Sequence, residues 1–328
     1  MAFSNTYDTS NPGSAVSNRE DLLDVLTILA PEETPVLSSA AKSKASATFV
    51  EWTVDSLSAP VTTGVAEGAD VTAFTDKFAN RARLGNYIQK FRRDYMVSDL
   101  QNAVDSVGPA KIAQAEAKAV REIKRDIEAT LCSDNDRSVE DGSGTPYGLR
   151  GLGDWIDSAG PSDVPAAYRT PAGSINGSGT TFTETVFNNL ITSIYRVTGT
   201  SNGLTLVADT ALRRKVSDFA RLSGSSDYSV RRVAYQGGEA SIKLSVELYE
   251  SDHGIVSVVN MNPDCAPDTT NKDTGYLVNP EYYGVAELIA LGSTRLPNLG
   301  GGERGYVDCA LTLLVNHPGA HGKITALS

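Results

Sequence analysis

The chain has 328 residues, enough for two packed modules or one elaborated domain. Hydrophobic residues make up 40% and charged residues 21%, and no apolar run approaches the roughly 20 residues that span a bilayer, so the composition predicts a folded protein outside the membrane. The net charge of -11 opposes nonspecific binding to duplex DNA, and three widely spaced cysteines argue against a disulfide framework or a zinc ribbon. The start of the chain lacks the basic and apolar regions of a signal peptide, so we expect synthesis in the cytoplasm.

The first 45 residues predict an arm. They are polar and marked by Pro and Gly at the outset, and DLLDVLTILA then has the apolar spacing of a short amphipathic helix. That apolar face needs a surface to pack on, which is either the rest of the chain or a neighbouring subunit. The face consists of Leu22, Leu23, Leu26 and Leu29.

Residues 46–93 predict a long β-hairpin with a Gly-bearing tip, TTGVAEGADV. In the first limb, Val50, Trp52 and Val54 share one face of a strand, because side chains alternate along it. A hairpin of this length is marginal in isolation, so we expect it to lie against another body.

The return limb of this hairpin is basic although the whole chain is acidic. Residues 77–93 contain no Asp or Glu. The segment is either an electrostatic docking surface for an acidic neighbouring copy or a solvated polar face, and nucleic-acid binding ranks third. Its basic residues are Lys77, Arg81, Arg83, Lys90, Arg92 and Arg93.

Two helices are predicted next. Ser98 and Gln101 form a capping-box pattern, which indicates a short helix that stops before Gly108. Residues 110–131 are rich in Ala, Glu, Lys and Arg without a breaker, and this helix would be roughly 33 Å long at 1.5 Å per residue. Its apolar stripe is Ala119, Ile123, Ile127 and Leu131.

The second half of the chain predicts an α+β module after an irregular connection over 133–180, which Trp155 and Ile156 would anchor. Thr181 and Glu184 suggest a capping box for a helix that ends before Gly199. Further signals are a buried strand at 204–208, a helix capped by Asp209, and strands at 241–249 and 255–259. After Pro280, RLPNLGGGERG separates the strand-like stretches YYGVAELIAL and YVDCALTLLVN.

Motifs that carry chemistry are missing from the sequence. His253, His317 and His321 sit in no catalytic or zinc-binding pattern, and Pro318 and Gly319 separate the last two. The acidic segment SDNDRSVEDGSG fails as a calcium loop because Val139 stands where glycine is needed. The glycine run 300–302 lacks the GxxxxGKS/T context of a phosphate loop and predicts a turn. We therefore predict no catalytic residue, no metal site and no cofactor.

Four strings carry a family resemblance: NREDLLDVLTILAPEETPVLSSA, YMVSDLQNAVDSVG, KAVREIKRDIEATL and NHPGAHGKITAL. With the order of elements, they resemble the tailed-bacteriophage major capsid protein family, the Johnson fold of podophage and siphophage shells. The resemblance implies an α+β fold in four parts. These are an N-terminal arm (1–45), an extended β-hairpin loop (46–93), a peripheral domain (94–140 and 280–328) with a spine helix at 110–131, and an axial domain (141–279) with an insertion loop.

The resemblance also implies a function. The chain would be a non-enzymatic major capsid protein whose hexamers and pentamers form an icosahedral shell around double-stranded DNA, without sequence-specific DNA binding. It would assemble in the host cytoplasm, reside in the virion, and have a scaffolding protein, a portal and a cement protein as partners. The alternatives are a cage-like cargo compartment of the same fold and a hydrolase or ligand-binding module. The expected intersubunit contacts are Lys77, Arg81, Arg83, Arg92 and Arg93 in the hairpin and Leu22, Leu26 and Leu29 in the arm.

Overall fold

The computed structural model describes most of the chain after the arm. The predicted arm contacts Leu22, Leu26 and Leu29 lie outside the described residues. The structure describes residues 33–104, 111–177, 179–200, 203–219, 233–236, 239–242, 247–267 and 273–327.

The described residues form helices and strands in an alternating order. The helices are α1 (Pro35–Ser39), α2 (Asp99–Ala103), α3 (Lys111–Leu131), α4 (Leu152–Trp155), α5 (Glu184–Thr198) and α6 (Thr210–Asp218). The strands are β1 (Ala41–Lys44), β2 (Phe49–Val54), β3 (Ala82–Tyr87), β4 (Gln89–Val97), β5 (Ile175–Asn176), β6 (Leu204–Ala208), β7 (Val233–Gln236), β8 (Glu239–Ile242), β9 (Leu248–Ser251), β10 (Gly254–Asn260), β11 (Gly275–Val278), β12 (Tyr283–Leu296), β13 (Glu303–Val315) and β14 (Gly322–Ile324).

A four-stranded sheet in the order β1-β12-β13-β4 forms one half of the fold. β12 and β13, which contain the two predicted strand-like stretches, pair antiparallel. β4 extends the sheet antiparallel to β13, whereas β1 joins β12 in parallel. The predicted glycine turn lies between β12 and β13, where Gly300 and Gly302 adopt φ angles of 92° and 126° that favour glycine. The structure thus confirms this turn.

Helix α3 packs on one face of that sheet. The predicted stripe of Ala119, Ile123, Ile127 and Leu131 is buried along its length, in a core that also includes Trp155 of the connection. Full burial of an aliphatic side chain of this size contributes about 1.5–3 kcal/mol, so the stripe fixes the rotation of the helix on the sheet. Arg93 adds a bidentate ion pair to Asp126 at the solvent-facing side of the contact.

A six-stranded mixed sheet in the order β5-β14-β11-β6-β10-β9 forms the other half. Helices α5 and α6 pack against this sheet and share one hydrophobic core with it. β6 covers the predicted strand 204–208, and Asp209 caps α6 as expected because its carboxylate accepts a hydrogen bond from the N–H of Thr210. This confirms the α+β character of the fold.

One local prediction in this half is wrong. Helix α5 is capped by Thr183, whose hydroxyl accepts from the N–H of Val186, and not by Thr181. The ends of the predicted strand 241–249 lie in β8, which pairs with β7, and in β9, which pairs with β10, whereas residues 243–246 lie outside the described residues.

Two adjacent connections join the two sheets. One leads from β11 to β12 through residues 279–282, and the other leads from β13 to β14 through residues 316–321. They are linked where the N–H of Asn279 donates to Nδ1 of the buried His321 at 3.2 Å. Across the described ranges, none of the helices has the length and apolarity needed to cross a bilayer.

Candidate assembly surfaces

The base of the β2–β3 hairpin is fixed to the core. Trp52 donates its indole N–H to the carbonyl of Val315 at 3.1 Å, and its ring lies 5.7 Å from that of Trp155. Val54 is buried on the same strand face, as the alternation predicted. The hairpin therefore leaves the body in a defined direction.

Asn86 on β3 forms a fully buried polar link between this hairpin base and the body. Its Oδ1 accepts from the N–H of Arg150 at 2.8 Å, and its Nδ2 donates to the carbonyls of Arg150 and Leu313 at 3.2 and 2.9 Å. The guanidinium of Arg150 is itself buried, with Asp136 at 2.6 Å and Asp163 at 2.8 Å. A buried hydrogen-bond network of this kind fixes the hairpin base in one orientation, because any other orientation would leave a buried polar group without a partner at a cost in free energy.

Beyond this base, the hairpin tip projects from the body. Residues 55–81 contain turns but no strand or helix, and every one of them is exposed. Leu57 is 99% exposed and Phe74 is 92% exposed. Large apolar side chains that are collected on one projecting segment mark a surface that another chain covers. They are Leu57, Val61, Val65, Val71, Phe74 and Phe78.

Half of the basic residues in the return limb are already engaged within the chain. Arg81 donates to Asp55 at 2.8 Å, and this hydrogen bond lowers the pKa of the Asp55 carboxyl. Lys90 lies 3.1 Å from Asp308, and the hydrogen bond of Arg93 to Asp126 raises the pKa of the Arg93 guanidinium.

The other half is unengaged. Lys77, Arg83 and Arg92 are exposed and form no ion pair with any described residue. Of the predicted intersubunit contacts, these three keep a full charge available for a neighbouring copy. Arg81 and Arg93 also have structural roles in their own chain.

The root of the arm is held by a buried carboxylate that sequence reasoning missed. Glu128 of α3 accepts hydrogen bonds from the N–H groups of Val36 and Leu37, each at 2.9 Å, at the start of α1. Burial raises the pKa of Glu128, whereas the two N–H groups lower it. No local signal marks this residue, since its partners lie about 90 positions away in the chain.

A second projecting surface, at the far end of the β12–β13 hairpin, was also missed. β1 pairs with residues 284–287 of β12, and beyond this point the outer edge of β12 has no neighbouring strand among the described residues. An exposed strand edge with apolar side chains invites contact with another chain. The exposed apolar residues here are Ile289, Leu291, Leu296, Leu299 and, on the adjacent β4, Met96.

His321 and the three cysteines are buried as ordinary core residues, and His317 is half-buried. Burial lowers the pKa of His317, and it lowers the pKa of His321 to about 4. Burial raises the pKa of Cys265 to about 11 and that of Cys309 to about 12, so neither is an activated thiol. Within the part of the chain that the structure describes, no three His, Cys, Asp or Glu side chains are grouped to hold a metal ion.

The fold is similar to those of solved capsid and encapsulin chains. The chain is similar to a capsid subunit of the native GTA particle at 13% identity and a TM-score of 0.61, over 99% of this chain and 100% of that one. It is similar to a chain of Mycobacterium phage Bobi at 12% identity and a TM-score of 0.62, over 97% and 98% of the two chains. The SrpI encapsulin of Synechococcus elongatus PCC 7942 is also similar, at 13% identity and a TM-score of 0.50 over 95% and 93%. No curated protein matches the chain in sequence.

The α+β body, with its fixed hairpin base and exposed apolar tip, thus has the same fold as these capsid chains. The family model of the SU10 major capsid protein matches residues 3–328. The chain belongs to the SU10 major capsid protein family. It is a structural virion protein and not an enzyme, and the predicted identity as a tailed-phage major capsid protein is confirmed.

Proposed function

We propose that this major capsid protein forms the hexamers and pentamers of an icosahedral shell that encloses double-stranded phage DNA. Assembly takes place in the host cytoplasm with a scaffolding protein and a portal, and a cement protein binds the finished shell. The chain contributes no cofactor chemistry and no sequence-specific DNA contact. The acidic net charge of -11 suits a container that must release its DNA.

The exposed tip 55–81 carries this proposal. In a monomer, all the large apolar side chains of the tip would be exposed to water. In a shell, the next copy would cover them. The hairpin base is rigidly fixed through Asn86 and Trp52, so the tip is presented at a set angle to that copy.

Two halves of the body would divide the remaining contacts. The four-stranded sheet with α3 supports a peripheral domain over 94–140 and 280–328. The six-stranded sheet supports an axial domain over 141–279, although one of its strands, β14, comes from Gly322–Ile324 at the end of the chain. Copies of this domain would meet around the capsomer axis. Maturation would then shift these halves as rigid bodies, with the arm and hairpin rearranged.

Negative-stain microscopy with size-exclusion chromatography tests the proposal, on the chain expressed alone and together with its neighbouring genes. We expect closed icosahedral particles from the wild type. A variant in which a short Asn-Gly turn replaces residues 57–79 keeps β2 and β3, so we expect a folded subunit that forms no particles. A wild type that stays a stable monomer or small oligomer under both conditions would overturn the proposal.

A cargo compartment of the same fold is the second candidate, supported by the similarity to the encapsulin at a TM-score of 0.50. The two candidates differ in their contents. Nuclease-protected DNA of genome length inside particles from producing cells supports the phage shell. Particles that contain an enzyme and no protected DNA support the compartment.

A further inference from the structure

The connection between α4 and β5 contains a compact loop, residues 157–170, which we call the strap. The guanidinium of Arg169 closes this loop, because it donates hydrogen bonds to three carbonyls of the strap at 2.7–3.3 Å, those of Ala159, Pro161 and Val164. Gly160 adopts a φ of 60° that favours glycine, and a Cβ at this position would meet the Arg169 side chain. A loop closed by its own contacts in this way moves as one piece.

The strap is joined at its C-terminal end to the six-stranded half, where it leads into β5. The hydroxyl of Thr170 donates to the carbonyl of Pro318 at 2.9 Å. The ring of Tyr168 lies edge-on to the ring of His317, with 6.1 Å between the two centroids. Pro318 and His317 both belong to the connection 316–321 that joins the two sheets. A shift of this connection would therefore act on the strap at two contacts.

The same tyrosine holds the hairpin at the level where its tip begins. Tyr168 is only 3% exposed, and its hydroxyl donates to the carbonyl of Asn80 and to the hydroxyl of Ser56, the latter at 3.5 Å. These two partners lie on opposite limbs of the hairpin, just beyond the last paired residues of β2 and β3, which are Val54 and Ala82. One hydroxyl therefore bridges both limbs at the root of the tip.

This contact lies between a fixed base and a free tip. Trp52 and Asn86 fix the paired base to the body independently of the strap. In the described part of the chain, the hydrogen bonds of residues 57–79 stay within the hairpin. A small displacement of the Tyr168 hydroxyl at this level would therefore change the direction of the whole tip.

We propose that the strap is a conformational coupler inside one subunit: through Tyr168 it converts a shift at the junction of the two sheets into a change in the direction of the hairpin tip. The path is a short chain of packed groups, from His317 to the Tyr168 ring and from the Tyr168 hydroxyl to Asn80 and Ser56. Because the last link is one hydroxyl, it can open while the core packing of the tyrosine ring stays in place. Tyr168 is thus a positioning residue for the tip.

Single-molecule energy transfer between two dyes measures the direction of the tip in the full chain. At the nanomolar concentrations of this method, mass action keeps the subunits apart, so no neighbouring copy holds the tip. The dyes are attached to Glu67→Cys in the tip and Lys124→Cys on the exposed face of α3. The three native cysteines are buried, so the introduced ones take the label. We expect one narrow distribution of transfer efficiency from this labelled parent protein.

Tyr168→Phe removes the hydroxyl and keeps the packed ring. We expect the distribution to broaden and its mean to move, while circular dichroism and the melting temperature stay close to those of the parent. Tyr147→Phe is the matched control. Tyr147 also stacks on the hairpin, with its ring 5.7 Å from that of Tyr87, but its hydroxyl has no hydrogen bond among the described residues. This control should leave the distribution unchanged.

Variants at the junction test the coupling itself, because His317 and Thr170 have no hydrogen bond or ring contact with the hairpin in the described part of the chain. His317→Leu removes the ring contact to Tyr168, and Thr170→Val removes the bond to Pro318. We expect both to broaden the distribution as Tyr168→Phe does. His317→Phe keeps an aromatic ring against Tyr168 and should restore the narrow distribution. Combining His317→Leu with Tyr168→Phe should add nothing to the effect of Tyr168→Phe alone, because both act through one path.

Three results would overturn the coupler. The first is a distribution that Tyr168→Phe leaves unchanged, and the second is a parent distribution already as broad as those of the variants. The third is a response to Tyr168→Phe with none to Thr170→Val or His317→Leu, since the tyrosine would then hold the tip without sensing the junction. The readout does not depend on assembly, so none of these results bears on the shell function.

Discussion

The buried His321 makes the junction between the two sheets sensitive to acid. It lies in the connection from β13 to β14, and its Nδ1 accepts the N–H of Asn279 from the connection between β11 and β12. Burial lowers its pKa to about 4. A protonated imidazole could not accept this hydrogen bond and would place a charge in the core.

The size and sign of the effect follow from proton linkage. The ordinary histidine pKa of about 6.5 applies in the unfolded chain, so the unfolded state binds more protons below that pH. The stability contributed by neutral His321 is present above about pH 6.5 and is lost as the pH falls toward about 4. Between pH 7 and pH 5 this difference removes about 2 kcal/mol from the free energy of unfolding.

Urea unfolding of unassembled subunits at pH 7, 6 and 5 measures this loss. His321→Asn keeps an acceptor near the Asn279 N–H but cannot take up the proton, so we expect its loss between pH 7 and pH 5 to be smaller by about 2 kcal/mol. His317 is present in both proteins and its charge also lowers the pKa of His321, so the difference between the two proteins measures His321 together with that coupling. His253→Gln removes a histidine from the β9–β10 turn as the matched control. Identical pH profiles for wild type and His321→Asn would refute the argument.

Two further predictions concern α3. Ile123→Ala removes a fully buried side chain from the stripe and should lower the free energy of unfolding by about 2–5 kcal/mol in urea, whereas Lys124→Ala on the exposed face should change it little. An equal effect of the two would contradict the assigned rotation of the helix. Glu128→Ala leaves the N–H groups of Val36 and Leu37 without their acceptor. We expect the free energy of unfolding to fall by about 1–3 kcal/mol for each N–H group that stays buried without a partner. Hydrogen exchange at these two amides should accelerate, and unchanged exchange would show that Glu128 does not hold the arm root.

The parts of the fold that local periodicity determines could be predicted from the sequence. The stripe of α3 and the alternation around Trp52 each follow from a short window of residues, and the structure buries both as expected. The cap of α5 was placed two residues early because Thr181 and Thr183 are equally good caps in isolation. Packing of Phe182 in the core decides between them, and a local pattern does not contain that contact.

Long-range pairings could not be predicted from a single sequence. Arg93 has the same local signature as Arg92, yet one pairs with Asp126 on α3 and the other faces solvent. Strand alternation places them on opposite faces, but only the position of α3 determines which face is covered. Likewise, AKSK at β1 has no apolar pattern, and it forms a strand because it pairs with β12.

The base and the tip of the β2–β3 hairpin have different roles, the base in the folding of the subunit and the tip in the proposed association of subunits. Its base takes part in folding, because Asn86 and Trp52 bond to β13 and to the connection after α3. Its tip is joined to the body only near its two ends, where Tyr168 donates to Ser56 and Asn80 among the described contacts, so we expect substitutions within residues 57–79 to change the stability of the subunit little. Substitutions at the base therefore lower the free energy of unfolding and assembly together. We expect substitutions within residues 57–79 to lower assembly alone, and this result would locate the proposed intersubunit contact on the outer part of the hairpin.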